Sequence, residues 1–171
     1  GVYNLFGLID GFVCKLDANG NFIYAKQFGG ADLDLLGAMK VLPTGEVLIT
    51  GLFNTTADFD PGNGVFNLTS FGDTDIFVCK INALGNFVWA KQMGGPDLEQ
   101  GNAIDTDAAG NVYIAGAFDH DGDYDPGAGV FTLTANGDKI FIVKLNASGN
   151  LQWANGVVGY FHNLTADAAN G

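Results

Sequence analysis

Apolar and polar residues alternate in short runs along this chain, and turn-forming residues separate the runs. Residues 12–16 and 22–27 form one pair of such runs, with the Asp-, Asn- and Gly-containing segment 17–21 between them. Alternation with a period of two, in runs rich in β-branched and aromatic residues, predicts strands, and the Asn-Gly turn predicts an antiparallel hairpin. Residues 38–42 and 46–53 repeat the arrangement around Pro-Thr-Gly and predict a second hairpin.

The whole pattern returns along the chain at a nearly constant spacing. The segment 10–30 recurs at 75–95, and a third copy begins at Lys139. Phe12, Phe77 and Phe141 are equivalent in the three copies, so these side chains are expected to occupy superimposable environments. Self-similarity of this kind predicts a modular array of supersecondary units.

On this period we divide the chain into four parts. These are the end of a preceding repeat (1–9), a first repeat or blade (10–74), a second (75–138) and an incomplete third (139–171). The second hairpin of the second repeat is predicted at 103–106 with 111–118, and segments 65–69 and 130–134 would each add a short, edge-like fifth strand.

Each repeat is thus predicted to hold four short antiparallel strands. Four strands joined by hairpin turns and one long loop match one propeller blade, and blades bury their faces on one another. The predicted fold is therefore all-β, with four-stranded antiparallel blades of a β-propeller-like repeat array, about two and three-quarter blades in this chain.

The ends of the repeats suggest how the chain associates. The chain begins and stops within a repeat, which indicates an excerpt of a longer protein. With three strands of four, the third repeat is expected to pair its open edge with a neighbouring subunit or with residues outside the chain. Tyr24, Trp89 and Trp153, one in each copy, are interpreted as packing between blades, and an aromatic ligand box is the alternative.

Composition and charge narrow the function classes. Apolar residues make up 47% of the chain and charged residues 15%, with 26 glycines, which fits a folded all-β protein rather than a disordered or helical one. All seven basic residues are Lys against 19 acidic residues, so the net charge of −12 argues against nucleic acid as a partner. No apolar run approaches the roughly 18 residues of a membrane-spanning helix, so no membrane span is predicted.

The two cysteines occupy the same position in successive repeats. Cys14 and Cys79 are equivalent, and the third copy has Val143 at that place. A position that accepts Cys or Val is an apolar packing position. Buried thiols are therefore expected rather than a disulfide or a metal ligand.

One constellation carries candidate chemistry, the acidic loop around each Asp-Pro-Gly turn. The second repeat places carboxylates at alternate positions of this loop, at Asp119, Asp121, Asp123 and Asp125. Alternating oxygen donors in a turn suit Ca²⁺, which takes about six to eight oxygen ligands. The alternative is that these side chains cap the turn through hydrogen bonds to backbone amides while their charges stay solvated.

The first repeat has a weaker version of the same loop. It places two neutral side chains and two carboxylates at the equivalent positions, Asn54, Thr56, Asp58 and Asp60. The candidate calcium ligands are the six carboxylates of the two loops. A second acidic pair follows each Gly-Gly and could donate from an adjacent loop, Asp32 with Asp34 in one copy and Asp97 with Glu99 in the next.

Three segments of the repeat are distinctive: 85–92 (GNFVWAKQ), 109–116 (AGNVYIAG) and 58–62 (DFDPG). With these segments the chain resembles, over nearly its whole length, the bacterial β-propeller repeat called the seven-bladed β-propeller or SBBP repeat. The resemblance implies large secreted or surface-attached bacterial proteins without assigned catalytic residues. The third copy departs from the pattern, because residues 155–162 replace the expected Lys-Gln-x-Gly-Gly.

No catalytic site is predicted, and two functions remain. The acidic residues recur with the repeat, which indicates scaffold roles, and neither His120 nor His162 has zinc-ligand spacing. The first function is an extracellular or cell-surface structural protein, a scaffold or filament subunit whose partners are its own further repeats or copies of itself. The second is a secreted binding module, an adhesin that presents loops to a glycan or a surface protein. A filament predicts completion of the third blade by another copy, whereas a binding propeller predicts a ring with a loop-lined pocket.

Overall fold

The computed structural model describes residues 9–135, 139–159 and 163–166. Twelve strands and no helix occupy these ranges, which confirms the all-β class. The first six strands are β1 (Gly11–Leu16), β2 (Phe22–Gly30), β3 (Asp34–Val41), β4 (Val47–Asp58), β5 (Asn67–Ile81) and β6 (Phe87–Met93). The other six are β7 (Glu99–Thr106), β8 (Val112–Phe118), β9 (Gly122–Asp123), β10 (Thr132–Leu133), β11 (Lys139–Leu145) and β12 (Leu151–Val158).

Some sequence predictions fall outside the described residues. These are most of the proposed preceding repeat, residues 1–8, and His162. Within the described ranges, no helix has the length and apolar character that crossing a membrane would require.

Two antiparallel four-stranded sheets organise the chain. The first sheet has the order β3-β4-β5-β6, and the second sheet has the order β7-β8-β11-β12. The β1-β2 hairpin joins the first sheet where Gly29 and Gly30 pair with Asp58 and Ala57 of β4. The short strands β9 and β10 pair with each other. Each four-stranded sheet has the size and antiparallel order of a β-propeller-like blade.

The sheets do not begin where the sequence repeat was divided. The first sheet extends from Asp34 to Met93 and the second from Glu99 to Val158. Each sheet therefore combines the second hairpin of one repeat with the first hairpin of the next. The boundaries 10–74 and 75–138 describe the period but not the sheets, because a repeat has no intrinsic starting point. Only the pairing of β4 with β5, and of β8 with β11, shows which hairpins share a sheet.

The same pairing corrects the interpretation of 139–171 as an incomplete third blade. β11 and β12 are the last two strands of the second sheet, and Ile140 to Leu145 of β11 pair with Ala117 to Val112 of β8. These strands need no neighbouring subunit to complete a four-stranded sheet. Within the described chain, the first hairpin of a unit that lacks a four-stranded sheet of its own is instead β1-β2, which makes two residue pairs with β4.

Local hydrogen bonds at the turns explain why the hairpins form. Asp17 Oδ1 accepts the N–H groups of Asn19 and Asn21, both at 2.8 Å, and Gly20 adopts a φ of 81°. Short polar side chains that bond their own backbone, with a glycine at positive φ, close a tight turn. The same pair of amide hydrogen bonds recurs at the equivalent turns, at Asn82 and Asn146, and at Asp107 in the turn between β7 and β8.

The expected fifth strand takes a different form in each repeat. In the first, Asn67 to Thr69 are the beginning of β5 and pair with the end of β4. In the second, Thr132 and Leu133 form β10 and pair with β9 instead. The segment is a strand in both copies, but only the first copy joins it to the main sheet.

The hydrophobic cores lie between successive sheets. The first core packs Val13 and Phe28 of the β1-β2 hairpin against Ile49 of the first sheet. The second core packs Leu48 of the first sheet against Ile114 of the second. Successive residues of a strand point to opposite faces, so Leu48 and Ile49 contribute to different cores. The first sheet is therefore covered on both faces by its neighbours.

Side chains on the outer face of the β1-β2 hairpin are more exposed than their equivalents in the later repeats. Phe77 and Phe141 are 1% and 0% exposed, but Phe12 is 54% exposed. The expectation of three superimposable environments is thus wrong for Phe12, since no described sheet covers that face of the β1-β2 hairpin. For the same reason Cys14 is exposed while Cys79 is buried, and both are free thiols. Burial raises the pKa of the Cys79 thiol.

Candidate functional site

The acidic loop of the second repeat is held by hydrogen bonds from its own backbone. Asp123 Oδ1 accepts the N–H groups of Asp125 at 3.0 Å and of Phe131 at 2.8 Å. Asp125 Oδ1 accepts the N–H of Gly127 at 2.8 Å. A side chain that bonds a backbone amide two residues further on stabilises a turn. These are the contacts that the turn-capping interpretation expects.

The loop of the first repeat makes the same contacts. Asp58 Oδ1 accepts the N–H groups of Asp60 at 2.9 Å and of Phe66 at 2.8 Å. Asp60 Oδ1 accepts the N–H of Gly62 at 2.8 Å. The two aspartates of each loop therefore have one structural role in common.

The two additional carboxylates of the second loop lie on the surface. Asp119 and Asp121 are exposed, and Asp121 Oδ1 accepts the N–H of Ala135 at 2.7 Å. In the described part of the chain, no group of three or more His, Cys, Asp or Glu side chains is arranged to hold a metal ion. Calcium binding by these loops stays a prediction.

In each acidic pair that follows a Gly-Gly, the first residue contacts a neighbouring loop and the second lies in the interior. Asp32 Oδ2 accepts the hydroxyl of Thr55 at 2.7 Å, and Asp97 Oδ2 lies 3.0 Å from His120 Nδ1. These loops therefore do approach the acidic loops, as the sequence suggested. Two residues further along, Asp34 and Glu99 point inward and are 3% and 0% exposed.

Three inward carboxyl groups have raised pKa values. Burial raises the pKa of Asp34 to about 6 and that of Asp75 to about 6. Burial also raises the pKa of Glu99 to about 7, and the negative charges of Asp75, Asp97 and Asp119 add to the effect. Removing a charged carboxylate from water disfavours its ionised form. Between about pH 4 and pH 6 these groups hold protons that ordinary carboxyl groups have lost.

Sequence reasoning did not single out Asp75 or its equivalent, Asp10. A signal for them was present, because each is followed at the same spacing by a glutamine, Gln27 or Gln92, and then by Gly-Gly. Both glutamine side chains donate to the carboxyl group of the corresponding aspartate. The pairing is thus a repeated feature of the fold.

Aromatic and lysine side chains join successive units, as predicted for Tyr24 and Trp89. Lys15 Nζ donates to the carbonyl of Ala83 at 2.9 Å, and Tyr24 packs against the first core. Trp89 packs against the second core. Trp153 is 37% exposed, and its ring lies 6.1 Å from that of Tyr113.

A surface groove lies between the hairpin turns of the two sheets. It has a volume of about 540 Å³ and runs between residues 42–46 and 106–110. Its described lining contains lysines, Glu46, Asp107 and small apolar residues but no aromatic side chain. Ligand pockets are usually lined by hydrophobic and aromatic side chains with a few convergent polar groups. This groove therefore lacks the aromatic side chains that a typical ligand pocket supplies.

Comparisons with known proteins support the architecture at a coarse level. No family model matches the chain. An uncharacterized WD repeat-containing protein of Acanthamoeba polyphaga mimivirus is 30% identical over 97 residues, which cover 48% of this chain and 7% of that protein. The regulatory protein FlaEY of Caulobacter vibrioides is 26% identical over 110 residues, which cover 64% of this chain and 12% of that protein.

The matched region is thus a small part of each relative. The similarity to a WD repeat-containing protein agrees with the repeated antiparallel sheets described above, and together they indicate a repeat, propeller-like fold.

Proposed function

We propose that the chain is part of a non-catalytic structural repeat protein, a bacterial extracellular or cell-surface scaffold of the SBBP type. The observation that carries the proposal is the position of the cores. Both hydrophobic clusters draw their residues from two successive units. A unit that buries its apolar face on its neighbours gains stability by stacking, as the units of a repeat array do, and a scaffold built from such units needs no further site.

The outer face of the β1-β2 hairpin, at the start of the described array, supports self-association or continuation by further repeats. Phe12 and Leu16, on the outer face of the β1-β2 hairpin, are 54% and 55% exposed. Their equivalents Phe77 and Ile81 are buried in the first core. Apolar side chains that are covered between internal units and uncovered at the ends are expected to be covered by another unit.

The acidic loops fit the same role. They cap their own turns through backbone amides and place further carboxylates on the surface. The net charge of −12 favours solubility while the apolar faces pair. Calcium bound at the loops would add stability by binding the folded state, and a glycan or protein ligand would make the chain a binding module instead.

The proposal is tested by measuring the molar mass of the chain in solution over a range of concentrations. We expect association that increases with concentration and that Phe12→Glu weakens, because a charge on the outer face opposes its burial. Val65→Glu is the matched control, since Val65 is 72% exposed and belongs to the loop between β4 and β5 rather than to the β1-β2 hairpin. A strictly monomeric chain that binds a glycan or protein through its loops would replace the scaffold function by the adhesin function.

A further inference from the structure

Two carboxyl groups lie close to the same glycine where the first sheet connects to the second. Gly94 and Gly95 begin the link between β6 and β7, Asp75 lies on β5 of the first sheet, and Glu99 begins β7 of the second. A Cβ atom added to Gly94 would lie 2.8 Å from Asp75 Oδ1 and 2.8 Å from Glu99 Oε2. Both side chains are fully buried, each at 0% exposed. The two acids thus lie on either side of one glycine, inside the junction.

Each acid has one oxygen with partners and one without. Asp75 Oδ2 accepts the Gln92 amide at 2.6 Å and the N–H of Phe71 at 3.1 Å. Glu99 Oε2 accepts the N–H of Gly95 at 2.8 Å. Asp75 Oδ1 and Glu99 Oε1 are buried without a hydrogen-bond partner among the described residues, and so is the hydroxyl of Tyr124.

The preceding junction repeats this arrangement. Gly29 takes the place of Gly94, and a Cβ there would lie 2.8 Å from Asp10 Oδ1 and from Asp34 Oδ2. Gln27 donates to Asp10, and the N–H of Gly30 donates to Asp34 Oδ2 at 2.6 Å. Asp10 Oδ1 and Asp34 Oδ1 are likewise buried without a partner in the described chain.

The charged groups around the second junction do not neutralise the pair. Asp97 and Asp119 face Glu99 and are themselves acidic. The nearby His120 pairs with Asp97, and Lys139 donates to the backbone carbonyl of Asp119. In the described ranges, no lysine or histidine forms an ion pair with Asp75 or Glu99.

Two ionised carboxylates cannot share an enclosed apolar site without a compensating positive charge. That charge is either a proton or a bound cation. A cation such as Ca²⁺ needs about six to eight oxygen ligands. The second junction offers Tyr124 as an additional oxygen, but Phe59 replaces it at the first junction. Since both junctions keep the carboxyl pair and only one has the hydroxyl, the shared feature fits a proton better than a metal ion.

We propose that each of these carboxyl pairs binds one proton between its two side chains and so serves as a pH-sensitive clasp between successive units. When protonated, one acid donates to the free oxygen of the other and holds the units together. When the proton is lost, two like charges face each other across a single glycine. The junction then weakens.

The direction of the pH effect follows from the geometry, because each buried carboxyl group lies beside a second carboxyl group and has an oxygen without a partner in the described chain. The raised pKa values of Asp34, Asp75 and Glu99 agree with this direction. The unfolded chain loses these protons near the ordinary carboxyl pKa of about 4, but the folded chain keeps them until about pH 6 to 7. Stability is therefore highest at the acidic end of this window and falls as pH rises through it. For each proton retained only by the folded state, the unfolding equilibrium constant rises about tenfold per pH unit.

Other shifted carboxyl groups do not obscure this window. The pKa of Asp107 is lowered to about 2, because hydrogen bonds from Asn111, Tyr113 and Lys144 outweigh the effect of burial. The pKa values of Asp17, Glu46 and Asp105 are lowered as well. These four groups affect stability below about pH 4, where a lowered carboxyl pKa costs stability as pH falls.

The test is urea unfolding of the full 171-residue chain at pH values from 5 to 8. The variants are Glu99→Gln, the double variant Asp34→Asn with Glu99→Gln, and Glu46→Gln as control, since Glu46 pairs with Lys80 and has a lowered pKa. We expect the wild type and Glu46→Gln to lose stability in parallel as pH rises. We expect Glu99→Gln to halve the dependence of the logarithm of the unfolding constant on pH, and the double variant to abolish most of it.

A second measurement does not depend on the variants being folded. Calorimetric unfolding of the wild type at pH 6, in two buffers of different ionisation enthalpy, counts the protons released, and we expect about one for each junction. No proton release, or a slope that Glu99→Gln leaves unchanged, would overturn the proposal. Stabilisation of the wild type at pH 7 by Na⁺, K⁺ or Ca²⁺ at constant ionic strength, absent in Glu99→Gln, would overturn it in favour of a bound cation.

Discussion

Gly94 shows how one residue can determine the geometry of a junction. Its φ of 154° is positive, a range that side-chain-bearing residues rarely adopt. The space where a side chain would begin is already occupied by the carboxyl groups of Asp75 and Glu99. Gly29 combines a φ of 149° with the same crowding at the preceding junction. The absence of one carbon atom allows two acids to approach each other.

Alanine at Gly94 should be more harmful than alanine at Gly159, the glycine that follows β12. Gly159 also has a φ of 154°, but among the described residues its added Cβ would meet only Ile140 Cδ1, at 3.9 Å. Both substitutions strain the backbone by about 1–3 kcal/mol. Gly94→Ala adds overpacking of a further about 1–3 kcal/mol. Urea unfolding measures the difference, and equal losses would show that the junction relaxes around the new methyl group.

Asp123 separates the two interpretations of the acidic loop. Because its Oδ1 already accepts two backbone amides, we expect thermal melting curves of the wild type to coincide in calcium and in chelator. Asp123→Asn keeps an oxygen acceptor but loses the charge, so its melting temperature should be modestly lower and equally insensitive to calcium. A wild-type melting temperature that rises with calcium, with the rise lost in Asp123→Asn, would establish the calcium site.

Contacts within one loop could be predicted from the sequence, but contacts between residues on different sheets could not. Asp123 and Asp125 bond amides of their own loop, so the turn-capping alternative could be stated from the loop alone. Asp75 and Glu99 are distant in the sequence and lie on different sheets. Only the packing of those sheets brings them together, and no pattern within one repeat reveals it.

At the scale of elements, hairpins could be predicted from the sequence, whereas the assembly of hairpins into sheets could not. The β1-β2 and β3-β4 hairpins follow from alternation and turn residues, which act over a few positions. The pairing of β4 with β5 spans the acidic loop and depends on which edge of a hairpin is free. The sequence period therefore predicted how many strands each unit has but not which hairpins share a sheet.

The two tryptophans test whether packing between units stabilises the array. Trp89 packs against the second core and lies beside the turn at Gly149. Trp153, its equivalent, is 37% exposed. We expect Trp89→Ala to lower the free energy of unfolding by about 2–3 kcal/mol, less than the about 3–5 kcal/mol typical of a fully buried tryptophan.

Trp153→Ala is the matched control and should cost about 1 kcal/mol or less, as exposed substitutions usually do. Denaturant unfolding followed by circular dichroism measures both variants, because neither retains the full tryptophan signal. Equal losses would mean that the contact between Trp89 and the next unit contributes little.

At the scale of the whole molecule, stability is shared between neighbours. The first sheet contributes Ile49 to one core and Leu48 to the other, so it depends on the units on both sides. In such a linear array, the free energy of unfolding is the sum of the intrinsic stability of each unit and the stability contributed by each interface between units. The stability of a fragment should therefore depend on where the chain is cut as much as on the length of the fragment.

Two fragments of equal length, residues 31–159 and 10–138, test this directly. The first fragment keeps both four-stranded sheets and the core between them. The second fragment ends before β11 and β12, so β7 and β8 lose the other two strands of their sheet. An isolated two-stranded hairpin is marginally stable at best in water. We expect 31–159 to unfold cooperatively with the higher urea midpoint. In 10–138, amide hydrogens of β7 and β8 should exchange rapidly while those of β3 to β6 stay protected. Comparable midpoints with protected β7 and β8 would mean that the sequence repeat, not the observed sheet, is the folding unit.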